Sequence, residues 1–299
     1  MTPCLELLQC PPLAAVRGLA RHGLAHLGVA EGGVMDAYAL QQANALLGNE
    51  AGAAALELVS GPLRLRLHGL AELRVMQVGA LFEMRIDGQL QPPHLVRRLR
   101  EGQELQVQGP LQGQYGLLCV QGGLTPRLLG APELGAHERL PVRAGVAALR
   151  QRGLRSPNAQ PPLALLPGPE YERLDEASRA ALWQAEWRVA PNSSRMGLRL
   201  QGPALRGALP ELLSHAVQPG LVQLPPDGQP IVLAAGAAAT GGYSRIGQVA
   251  AVDLWKLAHL RAGSPLRFAP LDLDSARELA LQRQQGLAWL RKKLGCTST

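Results

Sequence analysis

The sequence predicts a mainly β protein with a few helices, arranged in two halves. Three observations carry that expectation. Between residues 54 and 120, apolar runs of four to six residues follow one another: Leu56–Val59, Leu63–Leu67, Leu73–Val78, Phe82–Ile86, Glu104–Val107 and Tyr115–Val120. Short strands at this spacing are the mark of a closed barrel or sandwich. The pattern returns within Gln218–Asp253, where Leu221–Leu224 and Ile231–Ala235 are joined by specific turn chemistry. Finally, 299 residues exceed one ordinary core. Arg150–Pro162, rich in Arg, Gln and Pro without periodicity, reads as the linker. The expected domains are 1–150, an N-terminal β-barrel, and 151–299, a second barrel ending in a helix.

In chain order, Leu5–Val16 reads as one strand broken at Pro11-Pro12. Asp36 is a good N-cap for a first helix whose apolar face is Ala39, Leu40, Ala43, Leu46 and Leu47, with Gly48-Asn49 ending it. Asp87-Gly88 signals a hairpin turn. Asp175 caps a short helix that ends near Trp183 or Glu186, and Trp187–Ala190 follows as a strand. A last helix spans about Ser275–Leu294, with Ser275 and Glu278 as a capping box and Leu279, Leu287, Leu290 and Leu294 as its stripe.

Composition excludes several classes. The formal charge is +7, yet most of it is arginine dispersed among apolar residues, as in Leu63-Arg64-Leu65-Arg66-Leu67, which places the arginines on a wet strand face. Aromatics make up 3%, too few for base-stacking platforms, so no nucleic-acid partner is expected. No run approaches the roughly 20 apolar residues of a membrane span, and no signal peptide is evident, so a cytoplasmic protein without a membrane partner is expected. The four cysteines form no C-x-x-C pair, and Cys119 reads as a buried small hydrophobe. His22 and His26 are four apart, but Gly23 and Gly28 argue against a helix there, and no metal site is expected. The three lysines, Lys256, Lys292 and Lys293, never follow a Met, so no biotin attachment site is expected in this chain.

The chemistry-bearing stretch is Gln218–Asp253. Pro226 pre-sets a turn, Asp227 bonds back to the backbone and Gly228 supplies a left-handed residue, so Gln229 emerges from a rigid turn. Thr240-Gly241-Gly242-Tyr243-Ser244-Arg245 combines a glycine pair, which lets backbone approach a ligand and form an anion nest, with polar donors. Neither a Walker A sequence nor G-x-S-x-G nor H-E-x-x-H occurs.

PPDGQPIVL, then TGGY-x-R-I and an Asp253-Leu254 segment, resemble the carboxyltransferase subdomain A/B family, which includes allophanate hydrolase subunit 2 and the C subunit of 5-oxoprolinase. The resemblance extends to Arg21, Gly23, His26, Gly28, Gly33, Met35, Asp36, Asn44 and Asn49, to Leu165–Tyr171, and to Asn192-Ser193-Ser194-Arg195-Met196-Gly197. The chain departs at Arg17-Gly18, where the family commonly has Gln-Asp, at Ala20 for Gly and at Gly32 for Ser. It also departs over Leu128–Gly145, where the family carries a longer loop with a Ser-Thr pair.

The resemblance implies a tandem of two cyclophilin-like β-barrels. It implies a subunit of an ATP-dependent 5-oxoprolinase, which hydrolyses 5-oxo-L-proline to L-glutamate. The implied partners are a smaller homologous subunit like allophanate hydrolase subunit 1 and an amidohydrolase-like third subunit. ATP is implied by the family and by no motif of this chain. The alternatives are a non-catalytic partner of a small kinase-inhibitor-like subunit, or a carboxyltransferase acting on urea or a similar amide. For such a lactam or amide substrate, the expected catalytic set is His26 as proton shuttle, Gln229 as amide or oxyanion donor, and Arg195. The expected substrate and anion set is Arg21, Asp36, Asn192, Asp227, Thr240, Gly241, Gly242, Tyr243 and Arg245.

Overall fold

The computed structural model describes residues 2–126, 134–143, 153–154, 162–210 and 212–295. Residues 128–133 and 144–145 of the Leu128–Gly145 stretch, and most of the Arg150–Pro162 linker, lie outside the described residues. The chain is mainly β, with a half-barrel and a nearly closed barrel. It groups into two compact units, one from the described residues of 1–19, 36–158 and 285–299, the other from those of 20–35 and 159–284. The segment 20–35, which the sequence reading counts with the first half, thus packs with the second unit, and the last residues group with the first.

The first unit holds β1 (Cys4–Gln9), β2 (Ala15–Arg17), α1 (Ala37–Leu47), β3 (Ala55–Leu58), β4 (Leu63–His68), β5 (Glu72–Ile86), β6 (Gln89–Gln91), β7 (Arg97–Arg100), β8 (Glu104–Val120) and β9 (Arg139–Pro141). Its sheet runs β2-β3-β8-β4-β1-β9, and β5 pairs with β6, β7 and β8. Pro11-Pro12 separates two strands that are not neighbours in the sheet, rather than notching one. β5 and β8 are long strands where the sequence suggests two short ones each. The breaks in pattern at Gly79–Glu83 and Gln108–Gly116 are absorbed as register shifts, because a bulge bends a strand without ending it. Gly79 takes φ 77° there. Bending keeps Leu73, Val75, Phe82, Met84, Leu105 and Val107 in one core with Leu65, Leu67 and Leu99. Each such buried side chain contributes about 1.5–3 kcal/mol. On the opposite face of β4, Arg64 and Arg66 reach Glu104, as the alternation predicts. α1 begins where Asp36 Oδ1 accepts the Ala39 N–H at 2.8 Å and ends at Gly48, φ 71°.

The second unit holds β10 (Leu163–Pro167), α2 (Glu176–Gln184), β11 (Trp187–Val189), β12 (Gly197–Gln201), β13 (His215–Ala216), β14 (Leu221–Leu224), β15 (Ile231–Leu233), β16 (Thr240–Gly241), β17 (Ser244–Val249), β18 (Pro265–Leu266) and β19 (Phe268–Pro270). Eight of these strands form a sheet ordered β18-β11-β12-β15-β14-β17-β10-β19, and β13 and β16 form a separate two-stranded ribbon. Trp187 is fully buried, and its indole fills the space that a side chain at Gly202 would need. α2 is capped by Asp175, as expected, through the Ser178 N–H.

The last helix, α3 (Leu273–Lys293), corrects the sequence reading at its start. Asp272 rather than Ser275 caps it, accepting both the Ser275 N–H and hydroxyl. The aspartate three residues upstream is the stronger acceptor, so the Ser275 and Glu278 pair falls inside the helix. No residue of α3 is fully buried, and Leu279 is exposed.

Candidate functional site

Segment 20–35 is shaped by glycine. Gly23, Gly28, Gly32 and Gly33 all take positive φ, from 63° to 88°, where other residues are strained. The Arg21 N–H donates to the Glu31 carbonyl at 2.8 Å, and His22 Nδ1 lies 3.1 Å from Glu31 Oε1. The intervening turn, Ala25–Leu27, leaves His26 exposed. Arg21 Nη2 lies 3.2 Å from where a Cβ on Gly32 would stand. Arg195, from the other part of the same unit, donates through Nη2 to the Gly33 carbonyl. Two guanidinium groups therefore converge on adjacent glycines, close in sequence to an exposed imidazole.

Arg195 is aimed by its own turn. Ser194 and Gly197 exchange backbone hydrogen bonds, and the Gly236 N–H donates to the Arg195 carbonyl at 2.7 Å. Asn192 is exposed on the preceding turn. Gln229 is elsewhere. Its Oε1 accepts from the Gly202 N–H at 3.0 Å, and its Nε2 donates to the Gly202 carbonyl at 3.2 Å. Arg195 precedes β12 whereas Gly202 follows it, and five strand residues span roughly 16 Å. The structure thus brings Arg21 and Arg195 to Gly32-Gly33, leaves His26 exposed on the same glycine-rich segment as Arg21, and puts Gln229 at the far end of β12.

The remaining expected residues have local tasks. Asp227 accepts from the Gln229 N–H at 3.0 Å, closing the predicted turn. Thr240 and Gly241 form β16, Gly242 follows and Tyr243 is 46% exposed. Arg245 forks onto Glu170 (Nε to Oε2 2.9 Å, Nη2 to Oε1 2.7 Å), and its N–H also donates to Oε2. These hydrogen bonds hold the Glu170 carboxyl below the usual carboxylate range and push Arg245 up. Asp36, in the first unit, is 1% exposed and spends one oxygen on capping α1. It sits there as a structural cap, because an N-cap needs its oxygen turned toward the helix. Among the described residues no group of three or more His, Cys, Asp or Glu could hold a metal, and no helix is long and apolar enough to cross a membrane.

Comparison with known proteins decides the family. The family model for the carboxyltransferase domain, subdomain A and B, matches residues 27–270. The chain belongs to that family. It is 34% identical over 304 residues to the C subunit of 5-oxoprolinase from Haemophilus influenzae, covering 96% of this chain and 98% of that protein. The Escherichia coli protein of the same name is 32% identical, covering 95% and 98%. Urea amidolyase of Saccharomyces cerevisiae is 23% identical over 87% of this chain, which spans 16% of that protein's length. Among solved structures, TTHA0988 matches with a TM-score of 0.80 at 30% identity, and the match takes in 90% of this chain and 56% of that one. The urea amidolyase of K. lactis matches at 0.85 and 21% identity, over 97% of this chain and 20% of that one. That last likeness shows the fold alone.

In this carboxyltransferase-domain chain, sequence reasoning misses three site residues. Glu170 falls within the Pro169-Glu170-Tyr171 match, but no spacing rule ties it to Arg245, seventy-five positions away. Gln223 and His215 carry no motif; strand pairing places His215 opposite Gly241, and packing of its amide places Gln223 there. Arg17, which replaces a family Gln, pairs with buried Glu57 at 3.4 Å. That gives the departure a packing role within the first unit.

Proposed function

We propose that this chain is a subunit of an ATP-dependent 5-oxoprolinase, working with a smaller homologous subunit and an amidohydrolase-like third subunit in the cytoplasm. The observation that carries the reading is the near full-length match to two proteins that bear the name of the 5-oxoprolinase C subunit. The geometry supports it. 5-Oxoproline is a lactam bearing a carboxylate, and guanidinium groups suit carboxylates and phosphates through charge-assisted bonds. Arg21 and Arg195, converging on Gly32-Gly33, hold the carboxylate or a phosphate of ATP in this reading, and exposed His26 moves the proton. Gln229 has no catalytic part in it, since its amide is already spent on Gly202.

The test is reconstitution. The chain co-expressed with both partner subunits should hydrolyse ATP in a manner stimulated by 5-oxoproline, whereas the chain alone should not. Arg195→Lys in the complex should raise KM for 5-oxoproline, because an ammonium loses the planar fork. Robust activity from the isolated chain, or an Arg195→Lys complex indistinguishable from the parent, would sink the reading. If a correctly assembled complex never turns over, the chain is instead a binding partner without catalysis, the role that the altered Arg17-Gly18 favours.

A further inference from the structure

The ribbon of β13 and β16 covers part of the second unit's sheet. It is seated by Val217 on a small apolar cluster of Leu221, Ile231, Leu233 and Ala237. The polar residue beside this cluster is Gln223, 5% exposed. Its Nε2 is buried and makes no hydrogen bond. That nitrogen lies 2.6 Å from where a Cβ on Gly241 would stand, so only glycine leaves it in place. His215 is the cross-strand partner of Gly241. Its Nδ1 lies 3.1 Å from the Leu213 carbonyl, which fixes that nitrogen as the donor. In the neutral imidazole its Nε2 is then a lone-pair acceptor, and it too is buried without a hydrogen bond.

One glycine is thus flanked by a buried donor and a buried acceptor, neither satisfied. Each such group is a destabilisation that a native fold rarely tolerates without a role. The complement of a donor beside an acceptor is a group with a carbonyl and an N–H on one edge. We propose that the site beneath the ribbon is a binding subsite for a secondary amide held cis, as in a lactam. The carbonyl accepts from Gln223 Nε2 and the N–H donates to His215 Nε2. The Gly241 backbone forms its roof, and Arg245, on the strand that faces Gln223, forms its wall together with its ion-pair partner Glu170. Both orphan atoms are covered, so entry requires the ribbon to lift. The ribbon pairs only two residues of each strand, and the chain at its His215–Gly241 end is exposed on both sides, Leu213 at 92% and Tyr243 at 46%. The inference deepens the 5-oxoprolinase reading by naming residues that would read the lactam, and it rests on that reading only for the identity of the natural substrate.

The experiment is ligand-detected NMR on the full chain alone, with 2-pyrrolidinone as probe and N-methyl-2-pyrrolidinone as the analogue that lacks the N–H. The parent chain should give saturable binding of 2-pyrrolidinone, with the N-methyl compound at least about tenfold weaker, the loss expected for one buried hydrogen bond. Gln223→Met, an apolar replacement of similar shape, should weaken the lactam about tenfold while leaving the melting temperature equal or higher. Gly241→Ala, which drives a methyl into Gln223, should also weaken it. Absence of saturable binding to the parent chain, or equal binding of the two lactams, overturns the proposal whatever the variants do. Unchanged binding in a folded Gln223→Met chain overturns it as well. Because no partner subunit or ATP is present, lactam binding without turnover in the complex would remove the 5-oxoprolinase reading and leave this one standing. Turnover without such binding would do the reverse.

Discussion

Gln229 shows what a single residue can and cannot reveal in sequence. Pro225–Gly228 does form the rigid turn that its composition predicts, with the Gly228 N–H donating to the Pro225 carbonyl at 3.0 Å and Asp227 accepting from Gln229. The aim of the side chain is set by something no local pattern carries. Gly202 follows a strand that lies two positions across the sheet from β14, and it must remain glycine to clear Trp187. Gln229 grips the backbone of that glycine from both sides and pins it over the indole. Gln229→Ala should therefore lower unfolding free energy by about 1–2 kcal/mol, two modest hydrogen bonds in a partly exposed place. In the reconstituted complex it should leave kcat nearly unchanged. Thermal or denaturant unfolding and steady-state kinetics on the same variant read both quantities. A hundredfold fall in kcat with an unmoved melting temperature would show that the amide serves chemistry instead.

At the scale of elements, the legible parts are those whose signal is local. α1 and α2 start at the aspartates expected, and Arg64 and Arg66 lie on the wet face that alternation assigns them. Less legible is where a strand continues through glycine, because β5 and β8 support each other's bulges along their whole length and neither sequence records its partner. Nor does periodicity show that segment 20–35 groups with residues more than a hundred positions later. Caps give a measurable consequence. Asp36 is buried, and its carboxylate satisfies an orphan N–H at the start of α1. Asp36→Ala should destabilise the chain by about 1–2 kcal/mol, and Asp36→Asn, which keeps an acceptor oxygen, should recover most of that loss. Unfolding midpoints of the two variants make the comparison. Equal losses would show that the charge, which adds to burial in raising the Cys119 thiol, matters more than the cap.

For the molecule as a whole, the charge network sets how stability responds to acid. Glu104, held low by its hydrogen bond to Arg64, and Glu170, held low by Arg245, titrate below the usual carboxylate range in the folded chain. Asp175 and Asp272 are lowered in the same direction by Ser178 and Ser275 at the two caps. A carboxyl with a depressed folded pKa binds fewer protons in the native state than in the unfolded chain, so stability rises with pH across that window. The stabilisation is complete above the unfolded values and is lost as pH falls through the folded ones. The unfolding free energy should accordingly be flat from about pH 7 to 5.5 and fall steeply below about pH 4.5. Glu170 carries the best-buried share, since its carboxylate takes three hydrogen bonds from one arginine and is 6% exposed. Glu170→Gln should lower stability at pH 7 by about 2–3 kcal/mol, less than for a fully buried pair because Arg245 is partly in water. It should also make the decline between about pH 5 and 3 shallower than in the parent chain. Urea unfolding midpoints measured across that range compare the two slopes. A variant whose curve merely shifts down in parallel would place the acid sensitivity in the other carboxylates and reduce the Glu170–Arg245 pair to a geometric tie.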